Sequence, residues 1–142
     1  GTQAIFWDDP SVLYASTHQM PLYPGTGGAS ETGAGNIFNA PLAPGADGAD
    51  FRRSFETVIL PALDAFRPQL IIISAGFDAH SRDPLGELEL VEADFVWATE
   101  QLMEVANRHS HGRIVSILEG GYDLKALAAS TAAHVETLMR AG

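Results

Sequence analysis

The chain has 142 residues and a formal net charge of −10, from 18 acidic and 8 basic side chains. That length is enough for one domain with a core, and the charge argues against a nucleic-acid partner while suiting cationic ligands such as polyamines or lysine-rich peptides. It contains no Cys, which excludes disulfides and thiolate metal sites, leaves His and carboxylates as metal ligands and fits a cytoplasmic location. No apolar run reaches the roughly 18 residues of a membrane span, and no basic segment leads into an apolar one as in a signal peptide. Gly1 in place of Met points to a processed or cut N-terminus.

In chain order, Val12 to Thr17 reads as a short strand ending in His18. An irregular segment rich in Gly, Pro, Ser and Thr follows from Gln19 to Asn36; structureless segments of that length are often functional. Ile37 to Leu42 reads as a second strand. Phe51, Phe55, Val58, Ala62 and Phe66 recur at helical spacing, so Asp50 to Arg67 is expected to be a helix. Pro61 should kink it or remove one of its backbone bonds, and Pro68 should stop it. Leu70 to Ser74 is a continuous β-branched run, the pattern of a strand buried on both faces. Phe95, Ala98, Leu102, Val105 and Ala106 mark a second helix. Arg113 to Leu118 reads as another buried strand, and Leu124, Leu127, Thr131, Val135 and Leu138 as a last helix. This alternation predicts an α/β fold with a largely parallel sheet.

Ligands of such sheets sit beyond the carboxyl ends of the strands. The first strand delivers Ser16 and His18 there. The next delivers Gly76-Phe77-Asp78-Ala79-His80, and the last delivers Glu119-Gly120-Gly121-Tyr122-Asp123. A carboxylate, two histidines and a phenol on one edge could form a metal-assisted hydrolytic site. Each has a plainer reading. Asp78 could cap a turn, His80 could be a solvated loop residue and His18 a satisfied core histidine. Gly120-Gly121 could serve a tight turn, and Tyr122 could be a core aromatic. Gly25-Thr26-Gly27-Gly28 lacks the Gly-Lys-Ser/Thr ending of a phosphate loop, which removes a nucleotide-binding reading. No Gly-x-Ser-x-Gly elbow supports a serine hydrolase.

Several strings together resemble the C-terminal half of the histone deacetylase family. They are Ser74-Ala75-Gly76-Phe77-Asp78, Asp83-Pro84-Leu85-Gly86 and Leu118-Glu119-Gly120-Gly121-Tyr122-Asp123-Leu124. Before them come Asp9-Pro10-Ser11-Val12-Leu13-Tyr14 and Tyr23-Pro24-Gly25-Thr26-Gly27, and Gly1-Thr2-Gln3 is similar to the tail of a His-His-Gly-Asn-Gly-Thr-Gln motif. The nearest group is the class II-like one, with bacterial deacetylases and acetylpolyamine amidohydrolases. The resemblance implies a three-layer arginase/deacetylase-like sandwich, of which residues 1–142 would be the C-terminal half of a single deacetylase domain.

It also implies a Zn²⁺ cofactor, with Asp78 as one ligand and Tyr122 polarising the carbonyl of an acylated amine, acetyl-lysine peptide or acetylpolyamine. The other Asp and His ligands and the tandem proton-transfer histidines would precede Gly1, in the missing N-terminal half of the same domain. Gly120 and Gly121 would bring the backbone close to the metal, and Tyr23 and Leu85 would line the acyl tunnel. Ser16 and Thr17 match one K⁺ or Na⁺ site of the family, and Phe6, Asp9 and Val12 a second, held largely by backbone carbonyls. Asn36 falls near a position of that second site that is often Tyr. The 142-residue chain alone is expected to be inactive, and a non-catalytic module that keeps the fold is the alternative.

Overall fold

The computed structural model describes residues 1–140. A short helix α1 (Thr2–Ile5) opens the chain. Then come β1 (Tyr14–Gln19), β2 (Ile37–Leu42), α2 (Gly48–Ser54), a π-helical turn (Phe55–Ile59), α3 (Leu60–Phe66), β3 (Ile71–Ala75), α4 (Glu92–His109), β4 (Ile114–Leu118) and α5 (Leu124–Met139). β1 pairs with β2 and β3 with β4, both in parallel, with Tyr14 opposite Ile37 and Ile71 opposite Ile114. The fold is α/β with parallel strands, as the alternation of patterns predicts. No helix among the described residues is long and apolar enough to cross a membrane.

The expected single helix over 50–67 is three pieces, for a reason located at Pro61. Proline has no N–H, and its ring crowds the carbonyl one turn earlier. The chain widens ahead of it, so that the Leu60 N–H reaches back to the Phe55 carbonyl in a π turn, and Pro61 falls in the first turn of α3. Phe51, Phe55, Ile59 and Leu63 still share one buried face. Phe51 and Phe55 pack edge-on against Trp97 of α4, with ring centroids 6.3 and 5.8 Å apart. The start of α2 is capped by the Asp47 carboxylate, which accepts from the Ala49 and Asp50 N–H groups. Buried Asp94 ties α4 to α2: it accepts from the Val91 N–H and pairs with Arg52 at 3.1 Å. The π turn also packs on β2, so these aromatics form the core between strands and helices.

Two expectations about the strands fail. β1 begins at Tyr14, not Val12, because Val12 belongs to a loop whose carbonyls turn inward to Asn36. β3 and β4 are not buried on both faces. Ile71 and Ala75 are buried, but Ile72 is 61% exposed, its partner across the ladder, Val115, is 47% exposed, and Ile117, opposite Ser74, is 54% exposed. One face packs on the helices, and no element among the described residues covers the other.

At the covered face a three-element polar link replaces apolar packing. His134 of α5 lies between Thr99 of α4 (2.7 Å from Nδ1) and Ser116 of β4 (2.8 Å from Nε2). The Thr99 hydroxyl donates to the Phe95 carbonyl, so it accepts from Nδ1–H, and Nε2 accepts from Ser116. Burial holds the His134 pKa below its ordinary value, so the ring is neutral.

Candidate functional site

The site grows from the carboxyl ends of β3 and β4. Beyond Ala75 the backbone keeps its alternation for three residues, which turns Phe77 inward and Asp78 outward. Phe77 is buried edge-on against Phe95, 5.1 Å between centroids, and anchors the segment. The ladder with the end of β4 continues: Glu119 N–H donates to the Ala75 carbonyl at 3.0 Å and Phe77 N–H to the Gly120 carbonyl at 2.8 Å. Asp78 and Gly120-Gly121-Tyr122 therefore leave the sheet side by side on the same edge.

The two glycines are there for space. A Cβ on Gly120 would stand 2.8 Å from an Asp78 carboxylate oxygen, inside any real contact distance. Gly121 has φ 140, and a Cβ there would press on Leu127 at 2.8 Å. A side chain at Gly120 would push the Asp78 carboxylate from its place, and one at Gly121 would also have to adopt a backbone conformation that favours glycine.

Asp78 caps no helix, since the next one starts at Glu92. Among the described residues no N–H or O–H other than its own amide donates to its carboxylate. The residue remains accessible to solvent on one side, while the carboxyl lies down against the Gly76 and Gly120 backbone. This desolvation raises its pKa, and the neighbouring carboxylates of Asp83 and Glu119 raise it further, against the lowering effect of its own N–H. It is a carboxylate that lacks a counter-charge. Tyr122 is 54% exposed, so its ring is not a core aromatic.

The turn carrying Tyr122 is held by Asp83, a residue that sequence reasoning passed over. Asp83 is 8% exposed. One carboxylate oxygen accepts from the Leu85 and Gly86 N–H groups at 2.9 and 3.1 Å, and the other accepts from the Tyr122 N–H at 3.0 Å. The Asp83-Pro84-Leu85-Gly86 string entered the sequence reading only through the family resemblance, and nothing local signals the bond to residue 122. The Asp123 side chain, next to Tyr122, caps α5 through the Ala126 N–H.

The loop that follows runs past the strand ends as a cross-link. Glu87 N–H donates to the Gln19 side chain at the end of β1, and Glu89 N–H to the Ala46 carbonyl beyond β2. Leu90 N–H donates to the Ala79 carbonyl beyond β3. Tyr23 (98% exposed) and Leu85 (66% exposed) both stand clear of the core.

The histidines are elsewhere in role. His80 is not solvated: it is 3% exposed, stacked on Phe95, with Nδ1 accepting from the Arg82 N–H and Nε2 3.3 Å from Glu92. It belongs to the packing beneath the site. His18 is satisfied at both nitrogens, by the Ser16 hydroxyl and the Gly27 carbonyl, each at 2.9 Å. Thr17 is half-buried on β1 beside Ser16. The Phe6, Asp9 and Val12 carbonyls all face the Asn36 side chain. Among the described residues no cluster of three His, Asp or Glu side chains converges as a metal site.

A family model described as the histone deacetylase domain matches residues 1–138. The chain belongs to that family. It is 42% identical over 129 residues to a probable deacetylase of Archaeoglobus fulgidus, covering 88% of this chain and 36% of that protein. It is 40% identical over 127 residues to the histone deacetylase-like amidohydrolase of Pseudomonas aeruginosa, covering 86% and 33%. Among solved structures, the HDA15 HD domain superposes with a TM-score of 0.92 at 38% identity, over 99% of this chain and 41% of that one. The chain thus spans about a third of these curated relatives' length, and its architecture is the arginase/deacetylase-like one of its structural neighbours, in part.

Proposed function

We propose that residues 1–142 form the C-terminal half of a zinc-dependent deacetylase domain that hydrolyses the amide of an acylated amine. The observation that carries this is the pairing at one strand edge of a counter-charge-free carboxylate, Asp78, with the exposed phenol of Tyr122. The donor chemistry fits a divalent cation such as Zn²⁺ that takes carboxylate oxygen: Asp78 offers an oxygen ligand engaged by no described donor but its own amide, on a strand end closely packed by glycine backbone. Asp78 would supply one ligand, and the remaining ligands would come from the part of the domain that precedes Gly1. Zinc in such a site supplies Lewis acidity to the substrate carbonyl and a nucleophile from water near neutral pH.

The chain's own residues do the rest. The Tyr122 hydroxyl donates to the amide carbonyl oxygen as negative charge develops there, an interaction stronger in the transition state than in the ground state. Asp83 positions Tyr122 by taking its backbone N–H. Tyr23 and Leu85 offer exposed apolar surface for the aliphatic stem of the acylated amine. The open face of β3 and β4, with Ile72, Val115 and Ile117, is where the other half of the domain would pack.

The reading is tested on the complete protein with Asp78→Asn and Tyr122→Phe, measuring zinc content and turnover on an acetyl-lysine peptide and an N-acetylpolyamine. Loss of zinc in the first, and normal zinc with lost turnover in the second, are the expected results. Full zinc and full turnover in Asp78→Asn would remove the assignment.

A further inference from the structure

The loop between α1 and β1 presents three backbone carbonyls to a single point. Phe6, Asp9 and Val12 direct their oxygens at the Asn36 side-chain nitrogen, at 2.8, 2.8 and 2.9 Å. Three convergent carbonyls are the environment of a dehydrated monovalent cation, and family resemblance implies such an ion here. The residues present do not fit it, because the position where an ion would meet all three oxygens is filled by Nδ2 of Asn36.

The amide cannot turn over to release them. Its Oδ1 accepts from the Ala34 N–H at 3.0 Å. Rotated, it would set an oxygen against three oxygens and an NH₂ against an N–H. Nor can it swing out. Asn36 is 4% exposed, its carbonyl accepts from the Tyr14 N–H at 2.9 Å, and Ile37 beside it is 1% exposed. Gly33, with φ 53, is packed so closely that a Cβ there would lie 2.9 Å from Asn36 Oδ1 and 2.5 Å from the Trp7 carbonyl.

We infer that the Asn36 amide takes the place of a monovalent cation in the Phe6–Asp9–Val12 carbonyl cradle, so that this loop is held by the chain itself and not by K⁺ or Na⁺. An amide NH₂ brings two protons to three carbonyls. The Phe6 and Asp9 carbonyls have second donors, the Asp9 and Val12 N–H groups at 3.2 Å, which leaves the set satisfied without an ion. The same amide ends the loop at Val12 and sets where β1 begins.

The test uses crystals of the complete protein grown with RbCl in place of KCl, read by anomalous scattering. In the wild type no Rb⁺ peak is expected among the Phe6, Asp9 and Val12 carbonyls. A peak there, with the Asn36 side chain displaced, overturns the inference. Asn36→Gly vacates the point, and there Rb⁺ is expected to bind. The variant's Tm should then rise with KCl, relative to choline chloride at equal ionic strength, by on the order of 5 °C more than the wild type's. The comparison with wild type subtracts any ion bound elsewhere. Asn36→Ser serves as a second variant if the glycine does not fold. If folded variants bind no Rb⁺ and respond to K⁺ as wild type does, the carbonyls are not a cation cradle and the inference fails. If neither variant folds, the wild-type diffraction decides.

Discussion

The two strand pairs differ in how their polar groups are treated. Around β1 and β2 the polar side chains are bonded mainly within the chain, although the buried Oδ1 of Asn39 accepts from no described residue. His18 is bonded at both nitrogens, the Asn36 NH₂ shares its two protons among three carbonyls while Oδ1 accepts from the Ala34 N–H, and Asn39 donates to the Gln3 side chain at 2.7 Å. Beyond β3 and β4 Asp83 is bonded, but two groups are left open: the Asp78 carboxylate accepts from no other described residue, and Tyr122 stands in solvent. Both regions are built from parallel strands ending in Gly-rich turns. Closed polar networks hold structure in place, and an open one at the same kind of edge is where a ligand can be bound.

The largest effect that would break this contrast is at Asp78. In the complete protein Asp78→Ala should remove most of the bound zinc, read by elemental analysis, since one of the protein ligands is lost. The same carboxylate should cost stability when no metal is present. Its pKa is raised in the fold, so the ionised form is disfavoured. That penalty is absent below its unfolded pKa and is complete once pH has risen past the folded one. Metal-free Asp78→Asn should therefore melt at a higher temperature than wild type at pH 7. A lower Tm would mean that the carboxylate is structural, like the groups around β1.

Tyr122→Phe comes next. It should lower kcat by roughly a hundredfold to a thousandfold with zinc content unchanged, the scale for removing one oxyanion donor. Unchanged turnover would leave Tyr122 a surface aromatic. Asp83→Asn should be milder in catalysis. One of its two bonded sides would face an N–H with an NH₂, costing about 1–3 kcal/mol and loosening the Tyr122 turn. A fall in kcat of about tenfold to a hundredfold is expected, the scale of losing a supporting hydrogen bond. KM and zinc content should hold. A fall in stability alone would make Asp83 a fold residue only.

The smallest effect belongs to the closed side of the comparison. His134 has a lowered folded pKa, so the unfolded state takes up the proton first as pH falls below about 6.5. Stability is complete above that pH and declines towards the folded pKa. Melting temperatures between pH 8 and 5 should show this decline, and His134→Gln should flatten it. An equal slope in both proteins would assign the pH dependence to other groups.

The sequence by itself determined the order of elements after the short helix α1, the strand-end positions of Asp78 and Tyr122, and the family. Apolar spacing and glycine placement are short-range signals, and they are set by backbone geometry that each segment carries alone. β2 was legible to the residue, and the helical stretch around Phe51 and Phe55 nearly in its extent but not in its division into three pieces. What only the tertiary structure decided depends on partners far apart in the chain. The Asn36 amide meets residues 24 to 30 positions earlier, and Asp83 meets a backbone N–H 39 positions later. His80 is buried because α4 closes over it with Phe95 and Glu92. The open face of β3 and β4 was invisible for the converse reason. A β-branched run records that a face is meant to be covered, and only the assembled chain shows whether anything in it does the covering.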